Sequence, residues 1–119
     1  MELDKTIREN LDGDYLTIHV ENFKEGVEYA AQKKLQQIHL IGGRAKNVVV
    51  DFKELNKLSE TLQYISFIED IGNVINFESI YNLKEMRKIY IHDKQKFTFD
   101  VSRFTKLQHL GGDYWNGLI

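Results

Sequence analysis

The segment Leu35-Gln36-Gln37-Ile38-His39-Leu40 decides how this chain is read. Apolar residues hold its first, fourth and sixth places, with polar residues between. The spacing returns in Leu62-Gln63-Tyr64-Ile65-Ser66-Phe67, in Met86-Arg87-Lys88-Ile89-Tyr90-Ile91 and, shortened, in Leu107-Gln108-His109-Leu110. Gly13-Asp14-Tyr15-Leu16-Thr17-Ile18 is a first copy without the leading apolar residue. The copies begin at residues 13, 35, 62, 86 and 107, a spacing typical of repeat architectures.

Within each copy the fourth and sixth places alternate with polar ones, the period of a half-buried strand. The third, fifth and seventh places then point the other way. A second register lies between the copies. Val50-Asp51-Phe52, Ile75-Asn76-Phe77 and Phe99-Asp100-Val101 each set a short polar residue between two apolar ones. Leu55, Ile80 and Phe104 follow three residues on, then Leu58, Leu83 and Leu107. That spacing suits a short helix or 3₁₀ turn that buries one stripe. Asp51, Asn76 and Asp100 stand where an N-cap side chain would accept from free backbone N–H groups. Asp51 with Glu54, and Asn22 with Glu25, have capping-box spacing. Strands joined by such crossovers run parallel.

These Leu-x-x-Ile-x-Leu segments resemble the leucine-rich-repeat family, over roughly residues 11–119. The resemblance implies an α/β fold, a short leucine-rich-repeat-like solenoid. Its parallel sheet of about five strands would be bare on one face and backed by short helices on the other. The chain departs from the family after the strands, where Asn or Cys forms a backbone-satisfying ladder. Here those places hold Glu21, Gly43, Asp70 and Lys94, and Gly112 stands where the last copy needs an apolar residue.

Composition agrees with one globular domain. The 119 residues are 42% hydrophobic and 29% charged, without cysteine or proline. No linker composition divides them, so residues 1–119 read as a single domain. Leu3, Ile7 and Leu11 have helical spacing and make residues 1–12 an N-terminal cap. Residues 111–119, with Tyr114, Trp115, Leu118 and Ile119, make a C-terminal cap. The net charge of −2 lacks the basic surplus of a nucleic-acid binder. No apolar run is long enough for a signal peptide or a membrane span. A soluble cytoplasmic protein is expected, with neither nucleic acid nor membrane as partner.

The residues give little to catalysis. His19, His39, His92 and His109 all fall on expected strands, but His19 and His92 would be roughly 14 Å apart at the usual strand spacing. They read as face or rim histidines, with no metal and no cofactor. Gly42-Gly43-Arg44-Ala45-Lys46 lacks the spacing of a phosphate-binding loop and reads as a turn. Glu69 and Asp70 read as solvated charges at a strand end. No nucleophile, base and acid converge, so no enzyme is expected.

The bare face carries the functional expectation. Its third-place column is Tyr15, Gln37, Tyr64, Lys88 and His109; its fifth is Thr17, His39, Ser66, Tyr90 and Gly111. Its seventh is His19, Ile41, Ile68, His92 and Asp113. Tyrosines, histidines and isoleucines side by side suit a protein contact. Tyr15, His39, Tyr64, Ser66, Ile68, Lys88, Tyr90, His92 and His109 are the expected protein-binding residues. In size and architecture the chain resembles small leucine-rich-repeat-like immunity proteins of bacterial polymorphic toxin systems. That implies a partner protein, a cognate toxin domain, which the chain would bind and neutralise. The alternative is a regulatory domain. Val48-Val49-Val50-Asp51-Phe52 followed by Leu55 and Leu58 resembles the central strand and helix of the sulfate-transporter/anti-sigma-antagonist family.

Overall fold

The recurring segments form strands that pair side by side in chain order. The computed structural model describes residues 2–42 and 47–112. Strand β1 (Ile7–Asn10) turns back into β2 (Gly13–His19), and a short turn at Val20–Asn22 opens α1 (Phe23–Gln32). After β3 (Gln37–Ile41) come β4 (Val49–Asp51), a 3₁₀ helix at Phe52–Leu58 and β5 (Tyr64–Phe67). Next follow β6 (Asn73–Ile75) and a 3₁₀ helix at Phe77–Asn82. The last are β7 (Lys88–Ile91), a 3₁₀ turn at Val101–Arg103 and β8 (His109–Gly112). No helix among the described residues is long and apolar enough to cross a membrane.

The fold is α/β, with a mostly parallel six-stranded sheet in the order β1-β2-β3-β5-β7-β8. Equivalent places of the copies face one another: Tyr15 lies opposite Gln37, Gln37 opposite Tyr64, Tyr64 opposite Lys88, and Lys88 opposite His109. Alternation then sends one set of side chains inward. Leu16, Ile18, Ile38, Leu40, Ile65, Phe67, Ile89 and Ile91 are all buried. Each contributes about 1.5–3 kcal/mol by leaving water. A one-residue slip would expose them all, so burial holds the register.

The connecting segments close the core from the other side. Leu55, Leu58, Ile80, Leu83 and Phe104 are buried, as their three-residue spacing requires. Aromatic rings bridge successive turns, with Phe52 6.1 Å from Phe23 and 5.9 Å from Phe77, centroid to centroid. Phe97 and Phe99 join this stack. Helix α1 buries Phe23, Gly26, Val27 and Ala30. A Cβ on Gly26 would meet the Ile18 side chain at 2.6 Å, so glycine lets the helix lie close against β2. The later connections stop at 3₁₀ geometry.

Several expectations are corrected. The helical spacing of Leu3, Ile7 and Leu11 does not give a helix: Ile7–Asn10 is a strand antiparallel to β2, with Ile7 opposite Leu16. The turn explains why. Asn10 Oδ1 accepts from Asp12 N at 2.9 Å, and Gly13 follows at φ 112°, a backbone angle that favours glycine. That also explains why the first copy has no leading apolar residue. The second register contains a strand pair as well as turns. Val49–Asp51 and Asn73–Ile75 form a separate two-stranded parallel sheet, so Val48–Phe52 supplies no central strand.

The caps divide. Asp51 accepts from Lys53 N at 2.9 Å and Asp100 from Ser102 N at 3.1 Å. Asn76 instead adopts φ 54° and caps nothing, its side chain donating to Asp51 Oδ1. Asn22 also makes no side-chain cap, and Glu54 pairs with Lys57. The missing Asn ladder has a substitute beside the expected place. Gln95 Nε2 donates to Glu69 O at 2.8 Å, and Gln95 Oε1 accepts from Ile71 N at 3.1 Å. Asp93 accepts from Asp70 N, and Asp70 from Gly72 N. Asp70 is thus part of the backbone satisfaction rather than a free surface charge. Gly112 has φ 91°, and a Cβ there would lie 2.0 Å from Ile91 O. No apolar side chain could fit that place. Gly43, Arg44, Ala45, Lys46, Asp113, Tyr114, Trp115, Leu118 and Ile119 lie outside the described residues, and with them most of the expected C-terminal cap.

Candidate protein-binding face

The nine expected residues lie along one side of the main sheet, because strand register puts their columns next to one another. They are not equally open. The β1–β2 turn reaches over this side and makes a cleft of about 300 Å³. Asn10, Leu11 and Asp12 line it from the turn, with Gln37, His39 and Ser66 below and Ile68, Tyr90 and His92 at the far end. His39, Ser66, Ile68, Tyr90 and His92 are therefore brought together, while Tyr15, Tyr64, Lys88 and His109 surround them.

Gln37 latches the turn in place. Its Nε2 donates to Asn10 Oδ1 and Gly13 O, and its Oε1 accepts from Asn10 Nδ2. Although on the outward side, Gln37 is only 1% exposed. Its orientation settles the His39 tautomer. Since Gln37 Nε2 faces the Gly13 carbonyl, Oε1 faces His39 Nε2 at 2.9 Å, so that ring nitrogen carries the proton. Tyr15 stacks on the same imidazole, ring centroids 3.9 Å apart. Burial first, then the nearby His92, lower the His39 pKa against the opposing charge of Asp12, from 6.5 to about 4. His39 is a neutral, half-buried aromatic surface at neutral pH.

Asp12 ties the turn to β7. Lys88 Nζ donates to Asp12 Oδ1 at 2.8 Å, and Tyr90 OH donates to Oδ2 at 3.3 Å. The bond to Asp12 raises the Lys88 pKa. Desolvation and the Asp12 charge raise that of Tyr90. The Lys88 ammonium also lies 5.7 Å from the Tyr64 ring centroid, within cation–π reach. Tyr90 leans over β8, where a Cβ on Gly111 would come within 2.4 Å of its Cδ1. His92 and His109 are exposed beside it, at 6.1 and 5.5 Å from its ring.

Ser66 departs from its expected place in the open. At 4% exposed it lies on the floor of the cleft. Ser66, His39 and Asp12 share the cleft but form no relay. His39 Nε2 is engaged by Gln37, and Asp12 by Lys88 and Tyr90. Among the described residues no three His, Asp or Glu side chains gather into a metal-binding group.

Sequence reasoning missed Asn10, Leu11 and Asp12 as parts of this site, and placed Gln37 in the face column without a binding role. The signal present was Asp12-Gly13 before an alternating run, a hairpin cue. Leu11 is fully exposed at the tip of that hairpin, and Ile68 is exposed across the cleft. Together they give it an apolar rim. Comparison with protein-family models, with curated proteins and with solved structures finds no match to this chain.

Proposed function

We propose that this chain is a non-catalytic protein-binding module, a short leucine-rich-repeat-like solenoid whose partner docks on the outward side of the main sheet. One observation carries the reading: the Tyr90 ring lies with those of His92 and His109 beside a cleft with an apolar rim, and Lys88 on the same strand sits over the Tyr64 ring. Such a surface offers large, rigid contact area at low entropic cost. The more specific proposal is an immunity protein of the bacterial cytoplasm that binds and neutralises a cognate toxin domain. Contact with a compact folded domain suits a broad sheet face better than contact with a small molecule does.

The test is affinity purification from the source cell with wild type and with a Tyr64→Ala/Tyr90→Ala double variant. The expected result is a stoichiometric partner with wild type, absent with the variant, whose toxicity the wild-type chain suppresses. A kinase or sigma-factor antagonist as the partner would favour the regulatory alternative. Equal capture by both proteins would contradict the assignment of the face.

A further inference from the structure

We infer that Lys88 and Tyr90 form a receptor for a carboxylate side chain of the partner protein, occupied in the free chain by Asp12. The inference rests on the protein-binding reading and names the chemistry of the partner. Lys88 and Tyr90 are two residues apart on β7, so both side chains leave the same side of the strand. Their donors take the two oxygens of one carboxylate, at 2.8 and 3.3 Å. That carboxylate comes from a segment 76 residues away along the chain.

The turn does not need the Asp12 carboxylate for its own geometry. The Asp12 backbone N–H is satisfied by Asn10, and Gln37 anchors Asn10 and Gly13. Nor does the tip gain by packing, since Leu11 beside Asp12 is fully exposed. The Asp12 and Lys88 side chains keep 17% and 31% of their exposure, so the pair is partly buried yet still open to a competing carboxylate from solvent. Charge then selects the replacement. Lys88 is the one fixed charge among the nine face residues, so Asp12 is the countercharge this face receives from the hairpin. A partner's Asp or Glu would preserve that neutralisation as it displaces the tip, whereas a basic or apolar side chain would leave Lys88 unpaired. Leu11 and Ile68 at the rim would flank the incoming residue.

The probe is N-acetyl-aspartate N-methylamide, titrated at constant ionic strength while the tyrosine ring resonances are followed by NMR. With Asp12→Asn, saturable shifts of Tyr64 and Tyr90 are expected at a concentration about fivefold lower than with wild type, as loss of a weak internal competitor implies. Asp12→Glu, which keeps an internal carboxylate, should behave like wild type. The neutral asparagine analogue should give no saturable shift, and adding Lys88→Met to Asp12→Asn should abolish the response. Equal midpoints for wild type and Asp12→Asn, or an equal response to the neutral analogue, would overturn the receptor. So would a wild-type dimer that dissociates in Asp12→Asn, which would assign the cradle to the hairpin of a second copy. Probe binding without any captured partner would leave the receptor standing and remove the protein-binding reading. A captured partner with no probe response would do the reverse.

Discussion

Asn10 and Gln37 exchange two side-chain hydrogen bonds, each 3.0 Å long, across 27 residues of sequence. The pair fastens the β1–β2 hairpin over a sheet face that would otherwise be flat. Replacing Asn10 with Ala removes both bonds while Gln37 keeps Gly13 O and His39, which costs about 0.5–1.5 kcal/mol per bond. Urea unfolding should show that loss, and hydrogen exchange should show faster opening of residues 7–13. An unchanged exchange rate would mean that the latch lies elsewhere.

The inward and outward assignments predict opposite outcomes for adjacent residues. Ile65→Ala and Ile89→Ala empty fully buried sites and should destabilise by about 2–5 kcal/mol. Tyr64→Ala and Tyr90→Ala should retain a cooperative unfolding transition and lose partner binding. Urea midpoints for the four variants check this. If the tyrosine variants unfold and the isoleucine variants do not, the sheet faces the other way.

Stability should fall in mild acid through His39. Its pKa is lowered from 6.5 to about 4 in the fold, so between those values the unfolded chain takes up a proton that the folded chain refuses. The contribution is complete above pH 6.5 and is lost as pH falls toward 4. His39→Gln should flatten the dependence of the urea midpoint on pH across this window. Parallel profiles for the two proteins would contradict the assignment.

Gly111 leaves room for the Tyr90 ring. A methyl group there would approach Cδ1 to 2.4 Å, so Gly111→Ala should displace the ring or strain β8. The expected cost is about 1–3 kcal/mol, with loss of the Tyr90–Asp12 contact visible in the Tyr90 ring resonances. A variant of wild-type stability with unshifted resonances would count against this packing.

The strand register was legible because the side-chain period is two. Once Ile38 and Leu40 point inward, Gln37 and His39 must point outward, and copies of the motif align column by column. The hairpin was hidden by coincidence. Leu3, Ile7 and Leu11 fit a helical stripe, while the residue that latches the end of the strand, Gln37, is far along the chain. Asn76 matches Asp51 and Asp100 in position yet takes φ 54°, which asparagine tolerates better than most residues. Local pattern cannot separate these choices. Gln95 satisfies the Glu69 and Ile71 backbone from the position after Lys94, where position-by-position reading does not look. The cleft escaped for the same reason as the hairpin: half of its wall is a tertiary contact.

A photo-cross-linking residue at position 64, set against one at position 53, tests the central claim most directly. Tyr64 lies on the outward sheet face, and Lys53 is exposed on the 3₁₀ helix at Phe52–Leu58. One stoichiometric cross-linked partner is expected from position 64 and none from position 53. A partner captured from position 53 alone would contradict that claim.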